Sequence, residues 1–352
     1  METIKEKLNN RNITDSTKSV YLKKLQMLQE GLEQKDFNFL KDTDKVITWV
    51  NQFKFAKRKS LLNSAMVGLS PASKKDIPDD VKDAYGVYRD LVINMSAEEK
   101  ETKKEQKKNL KESEKWRTMK DLENIRDHYG KQLKKKGYNQ KTTEWKDPAD
   151  RHLLQKYLVA TLYTTQPPRR LEYGNMKRIS EMDYFLASQE ERESNNYIVV
   201  KNKRSKYFSF ADVKIPDPDN RIVKIPINKV LNGVINCWFN LTGEGEGWAW
   251  VKFLNPCDGV KRKAKTNKCK NGSIKQQSFL QDFNGDPMTS NKLSKYIIQK
   301  VFAEHGIGVG MIRHIYLSEK YENDTPLKEK EETAKMMNHS VGTAELIYVK
   351  KD

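Results

Sequence analysis

Between Ser96 and Lys115 the chain is almost wholly charged, with Glu98, Glu99, Lys100, Glu101, Lys103, Lys104, Glu105, Lys107 and Lys108, and it offers no apolar stripe. Glu and Lys recur four residues apart, a spacing that supports a solvated helix through side-chain pairs. A segment with no apolar face adds nothing to a core, so the chain must build its cores on either side of it. At 352 residues it has the length for two. The pattern predicts a helical domain over 1–95, a charged linker over 96–115 and a second domain over 116–352.

The first domain reads as all-helical. Thr14, Asp15 and Ser16 are capping residues before Tyr21, Leu25, Leu28 and Leu32, which share one face. Further helices are expected from Asp42, from Arg58 to Leu69 and after Pro78. The second domain opens near Thr118, and Asp147-Pro148 announces a helix that the double proline Pro167-Pro168 halts, so Arg169 and Arg170 stand at a fixed turn before another short helix. Alternating β-branched and aromatic residues then predict strands over 196–201, 206–214 and 221–227, with Ile215-Pro-Asp-Pro-Asp-Asn220 as a turn. Gly243–Gly247 reads as a flexible loop and 258–277 as an exposed insertion. Helices resume after Thr289. The fold class is α+β, mainly α with a small antiparallel β-sheet.

With 66 Lys+Arg against 48 Asp+Glu, the net charge of +18 favours a polyanionic partner, nucleic acid or an acidic membrane. No apolar run is long enough to cross a bilayer and the first residues form no signal peptide. Cys237, Cys257 and Cys269 are few, odd in number and outside metal-ligand spacing, which points to a reducing compartment, cytoplasm or nucleus, and to no zinc site.

The arginines are placed less uniformly than the lysines. Arg169-Arg-Leu-Glu172 follows the double proline, Met311-Ile-Arg313-His314 lies in a helix, and Asn338-His339-Ser340 precedes Tyr348, nine residues after His339. Singly, each has a plain structural use: ion pairing with Glu172, capping a helix end, a turn, core packing. Together they supply what metal-free attack on a phosphodiester needs. Those parts are a nucleophile, cations that hold the equatorial oxygens of the transition state, and an acid for the leaving oxygen.

In these motifs and their order the chain resembles the tyrosine recombinase (phage integrase) family, whose catalytic domain is shared with type IB topoisomerases. The helical first domain is similar to the family's core-binding domain, so the likeness covers nearly the whole chain. The resemblance implies a two-domain clamp on double-stranded DNA and strand breakage and rejoining through a 3′-phosphotyrosine, with no cofactor and no metal. It implies Tyr348 as nucleophile, Arg169, Arg313 and His339 as transition-state donors, and Lys214 as the hairpin lysine that protonates the 5′ oxygen; Lys201, Lys203 and Lys206 compete for that role. Partners implied are DNA and further copies of the chain, dimer to tetramer, in the host cell of a virus or mobile element. Two positions depart from the family pattern. Gly310 stands where a histidine is usual, leaving its part to a residue such as His314 or His305, and Asn338 stands for a glycine. Four residues follow Tyr348, too few for an exchanged helix, so synapsis is expected through another surface unless the natural chain continues further. A type IB topoisomerase is the alternative within the same chemistry. A catalytically silent DNA-binding protein on this fold, or a binder of RNA or acidic membranes, is the alternative outside it.

Overall fold

A computed structural model describes residues 4–71, 77–139, 141–211, 222–242, 277–282, 284–321 and 325–351. Lys214, the turn at 215–220, the Gly243–Gly247 loop, all but the last residue of the 258–277 insertion, Cys257 and Cys269 lie outside these residues. The chain divides into two compact units, Met1–Glu105 and Gln106–Asp352.

The first unit is built from α1 (Ile4–Asn9), α2 (Asp15–Gly31), α3 (Thr43–Val50), α4 (Phe55–Leu69) and α5 (Asp79–Lys104). Thr14 caps α2 by accepting from the Thr17 N–H. Leu25, Leu28, Val46, Val50, Leu61, Ala65 and Tyr88 form its buried centre. The charged stretch proves not to be a separate element. Its first half prolongs α5 as far as Lys104, with Glu99 paired to both Lys59 and Lys103, and its second half belongs to the other unit as α6 (Leu110–Lys115). A helix already anchored by Val81, Ala84, Tyr88 and Met95 propagates cheaply through residues that need no core of their own.

The second unit holds α7 (Met119–Lys135), α8 (Asp150–Thr164), β1 (Lys177–Ser180), α9 (Glu181–Leu186), α10 (Gln189–Ser194), β2 (Tyr197–Val200), β3 (Lys206–Phe210), β4 (Val223–Pro226), α11 (Lys229–Thr242), β5 (Gln277–Ser278), α12 (Ser290–Tyr296), α13 (Val309–Lys320) and α14 (Leu327–Met337). Thr118 opens α7 in a reciprocal capping box with Asp121, and Thr289 caps α12. The sheet runs β4-β3-β2-β1-β5. It is mixed rather than antiparallel: β2 pairs parallel to β1, with Lys177 opposite Tyr197, while the other pairings are antiparallel. The parallel pair exists because β1 and β2 are joined by the crossover helices α9 and α10 instead of a hairpin. The next regular element after the Arg169–Arg170 turn is therefore β1, not a short helix; α9 comes after it. Tyr163, Tyr173, Phe208, Phe210, Phe279 and Trp238 fill the core between sheet and helices.

Candidate active site

The site is assembled at the C-terminus of α14. There Asn338 takes a left-handed conformation (φ 60°), its N–H bonds the Lys335 carbonyl at 3.2 Å and the His339 N–H bonds the Ala334 carbonyl at 3.1 Å. This is a Schellman ending, and asparagine does in it what the usual glycine does. The ending turns three successive carbonyls away from the helix, and each accepts from an arginine. Arg169 Nη1 donates to the Met336 carbonyl at 2.8 Å, Arg313 Nη1 to Met337 at 3.0 Å, and Arg170 Nη1 to Asn338 at 3.5 Å. The negative end of a helix is a favourable place for cations.

Each guanidinium is fixed from a second side. Arg313 Nη1 also donates to the Pro168 carbonyl at 2.7 Å, so the double proline that halts α8 supplies an acceptor. Arg169 lies over the Phe210 ring, 3.8 Å from its centroid, and Glu172 Oε1 is 3.6 Å from its Nη2, an ion pair too long to count as a hydrogen bond. Asn196 ties this turn to the sheet: its Nδ2 donates to the Glu172 carbonyl at 3.1 Å and its Oδ1 accepts from the Ala211 N–H at 2.9 Å. The turn is held from behind by Tyr163, whose hydroxyl donates to the Arg170 carbonyl at 2.6 Å.

Tyr348 closes a π-helical turn, Ala344–Tyr348, in which the Val349 N–H reaches the Ala344 carbonyl at 3.1 Å. His339 stacks on its ring (centroids 5.3 Å apart, planes at 27°), and the Arg313 guanidinium carbon is 4.5 Å from the ring centroid. The phenol oxygen accepts from Arg170 Nη2 at 3.1 Å. Its backbone carbonyl is 3.0 Å from His314 Nδ1, which must carry the proton because a carbonyl only accepts. Glu112 Oε1 stands 3.8 Å from the other nitrogen of that ring. The turn is tied to the start of the unit as well: Gln106 Nε2 donates to the Glu345 carbonyl at 2.8 Å, and the Lys351 N–H donates to the Gln106 carbonyl at 2.9 Å.

Arg169 and Arg313 are each 1% exposed, His339 5% and Tyr348 7%. Burial pulls both guanidinium groups below their ordinary value, opposed chiefly by Glu172 at Arg169 and by Tyr348 at Arg313; arginine nonetheless keeps its charge. Nε and Nη2 of both arginines, and Nε2 of His339, have no hydrogen-bond partner in the protein. Among the described residues Arg313 has no carboxylate ion-pair partner either. Buried guanidinium donors without acceptors are costly, and an anion is the kind of group that would satisfy them.

Burial, followed by the Arg313 charge, lowers His339 to about 4, so it is neutral at pH 7. Its Nδ1–H donates to the Ser340 carbonyl at 3.1 Å, leaving a lone pair on Nε2. Unfolding returns this histidine to its ordinary value near 6.5. Below that pH the unfolded chain binds a proton that the folded chain refuses, so stability falls as pH drops from 6.5 towards 4, by at most about 3 kcal/mol. His314 and His152, also lowered by burial, act in the same direction. Urea unfolding at pH 7 and pH 4.5 is expected to show a smaller loss of stability for His339→Gln than for the unsubstituted chain.

The structure thus brings Arg169, Arg313, His339 and Tyr348 together. Of the competing lysines, Lys206 is buried and donates to the Lys203 carbonyl, Asn232 Oδ1 and Asn236 Oδ1 at 2.8, 2.6 and 2.7 Å, while burial pushes its ammonium down to about 7. It pins the turn before β3 to α11. Replacement by methionine strands these acceptors and is expected to cost about 1–3 kcal/mol in urea unfolding. Lys201 and Lys203 are exposed in that same turn, at the end of β3 away from Phe210, roughly 13 Å along a five-residue strand. His305 faces Arg117 (Nδ1 to Nη2, 3.1 Å), and a side chain at Gly310 would enter open space. The sequence places Arg170 at the fixed turn without a role and offers His314 for the part left open at Gly310; in the structure Arg170 bonds the phenol and His314 holds the Tyr348 carbonyl. No protein-family model, no curated protein and no solved structure matches this chain.

Proposed function

We propose that the chain cuts and rejoins double-stranded DNA through a covalent phosphotyrosine at Tyr348. One observation carries the reading: the Tyr348 ring lies 4.5 Å from the buried Arg313 guanidinium and its hydroxyl accepts from Arg170, while Nε and Nη2 of Arg169 and Arg313 have no hydrogen-bond partner among the described residues. An isolated buried cation is costly, and a phosphodiester offers the oxygens that two guanidinium forks match. The net charge of +18 suits a long polyanion.

In this reading Arg169 and Arg313 hold the non-bridging oxygens as charge builds on them. The Tyr348 oxygen forms a bond to phosphorus while the bond from phosphorus to the 5′ oxygen breaks. The proton lost by the phenol is balanced by the one gained by the departing hydroxyl. His339, neutral with its lone pair on Nε2, meets a phosphate oxygen as a donor only after taking a proton there. Attack by a 5′-hydroxyl on the phosphotyrosine reverses the sequence, and the ester stores the bond energy meanwhile. Lys214 is assigned as proton donor to the 5′ oxygen. Lys201, Lys203 and Lys206 belong to the end of β3 away from Phe210, which leaves Lys214, outside the described residues, as the lysine of the family pattern.

The test is a denaturing gel of the full chain incubated with nicked duplexes of randomised sequence. A protein–DNA band that survives denaturation and maps to Tyr348 is the expected result. Relaxation of a supercoiled plasmid without partner sites separates a topoisomerase from a recombinase.

A further inference from the structure

Arg170 follows the arginine that the family pattern marks, and its Nη2 donates to the Tyr348 phenol oxygen at 3.1 Å. Arg169 and Arg313 spend their bonded nitrogens on the Met336, Pro168 and Met337 carbonyls. Arg170 is the half-buried member of the group; its carbonyl is fixed by Tyr163 and its other terminal nitrogen lies 3.5 Å from the Asn338 carbonyl. The side chain is therefore held towards Tyr348 from two sides, through its own carbonyl and through the end of α14.

We propose that Arg170 is a further catalytic residue, the cation that stabilises the Tyr348 phenolate on the way into the phosphotyrosine and again when tyrosine leaves. The proposal rests on the reading given above and divides its labour: Arg169 and Arg313 serve the phosphate, and Arg170 serves the nucleophile. Arginine cannot act as a base, because it has no acceptor and does not give up its charge. The phenol proton passes to solvent water. The phenolate attacks phosphorus, the bond to the 5′ oxygen breaks, and that oxygen recovers one proton from its own donor. In rejoining, the phosphorus–phenol bond breaks and Arg170 receives the returning negative charge.

This role has a signature that a packing role lacks. A guanidinium at hydrogen-bond distance stabilises the charge that builds on the phenol oxygen, whatever leaves from phosphorus. Arg170→Ala is then expected to slow adduct formation by about tenfold or more at pH 7, and to do so equally with a leaving group that needs no proton.

The experiment measures single-turnover adduct formation by the full chain at pH 7 on nicked duplexes of randomised sequence. Unsubstituted chain, Arg170→Ala, Arg170→Gln and Arg170→Lys are compared, with folding of each checked by thermal melting. A second substrate carries a 5′-bridging sulfur, whose thiolate leaves without a proton. The expected result is a loss of about tenfold or more in rate in Arg170→Ala and Arg170→Gln. Arg170→Lys should lie in between, and the sulfur substrate should give no rescue. An adduct formed at the unsubstituted rate by a folded Arg170→Ala overturns the proposal alone, as does rescue by sulfur, which would place Arg170 on the leaving-group side. Absence of any adduct from the unsubstituted chain removes the reading of the site and the proposal with it.

Discussion

Tyr348→Phe is expected to form no denaturation-resistant adduct with DNA, at any pH and over any time in which the unsubstituted chain reaches its plateau. The substitution removes one oxygen and leaves the ring stacked on His339 and under Arg313. The terminal turn is held by backbone bonds, from His314 to the Tyr348 carbonyl and from Gln106 to the Glu345 carbonyl, and these do not involve the hydroxyl. Folding is therefore expected to survive, with the hydrogen bond to Arg170 contributing about 1–3 kcal/mol as a bond to a charged group. Non-covalent DNA binding should survive as well, because it draws on the charge of the whole surface. Loss of the adduct with binding intact separates nucleophile from scaffold. An adduct that persists in Tyr348→Phe would show that some other side chain carries the chemistry.

The second large effect is expected at Arg313. Truncation to alanine leaves the Pro168 and Met337 carbonyls without their donor in the interior, at about 1–3 kcal/mol each, and removes a cation from the proposed phosphate position. Loss of one preorganised donor to a developing oxyanion costs about 100- to 1,000-fold in rate. Alanine mixes the two consequences, so lysine is the informative replacement. It keeps the charge and can reach one carbonyl, but it presents a point charge in place of a fork. Arg313→Lys is expected to retain most of the urea stability and still lose at least about tenfold in adduct formation. A folded Arg313→Lys that reacts at the unsubstituted rate would mean that the guanidinium shape is used for packing alone.

The parts of this architecture that depend on local patterns were legible in the residues. Thr118 and Thr289 cap helices where the sequence places caps, and the paired faces of β2, β3 and β4 follow the alternation of aromatic and β-branched side chains. β1 was not legible. It is four residues long, Lys177-Arg-Ile-Ser180, and only its place beside β2 makes it a strand. The two units divide at Glu105–Gln106, inside the charged stretch, where helix α5 is stabilised by its own apolar first half and carries the polar second half with it. At the site, the motifs placed Arg169, Arg313, His339 and Tyr348 in one constellation, and the structure gathers them. What they could not show is that the gathering is done by carbonyls. Met336, Met337, Asn338 and Pro168 contribute backbone oxygens, which no side-chain pattern encodes, and whether Arg169 or Arg170 turns towards the phenol depends on which of those oxygens each can reach.

The bonds between Gln106 and the terminal turn give the second unit a property that its linear order hides. Its first residue and its residue 351 are hydrogen-bonded neighbours, and Gln106 grips the turn of Tyr348 by side chain and, through Lys351, by main chain. The turn of Tyr348 can loosen only if Gln106 and Lys351 release each other as well, because each anchors the other. The tyrosine therefore sits on a closed ring of backbone, and its position is set as much by the first residues of the unit as by the helix that leads into it.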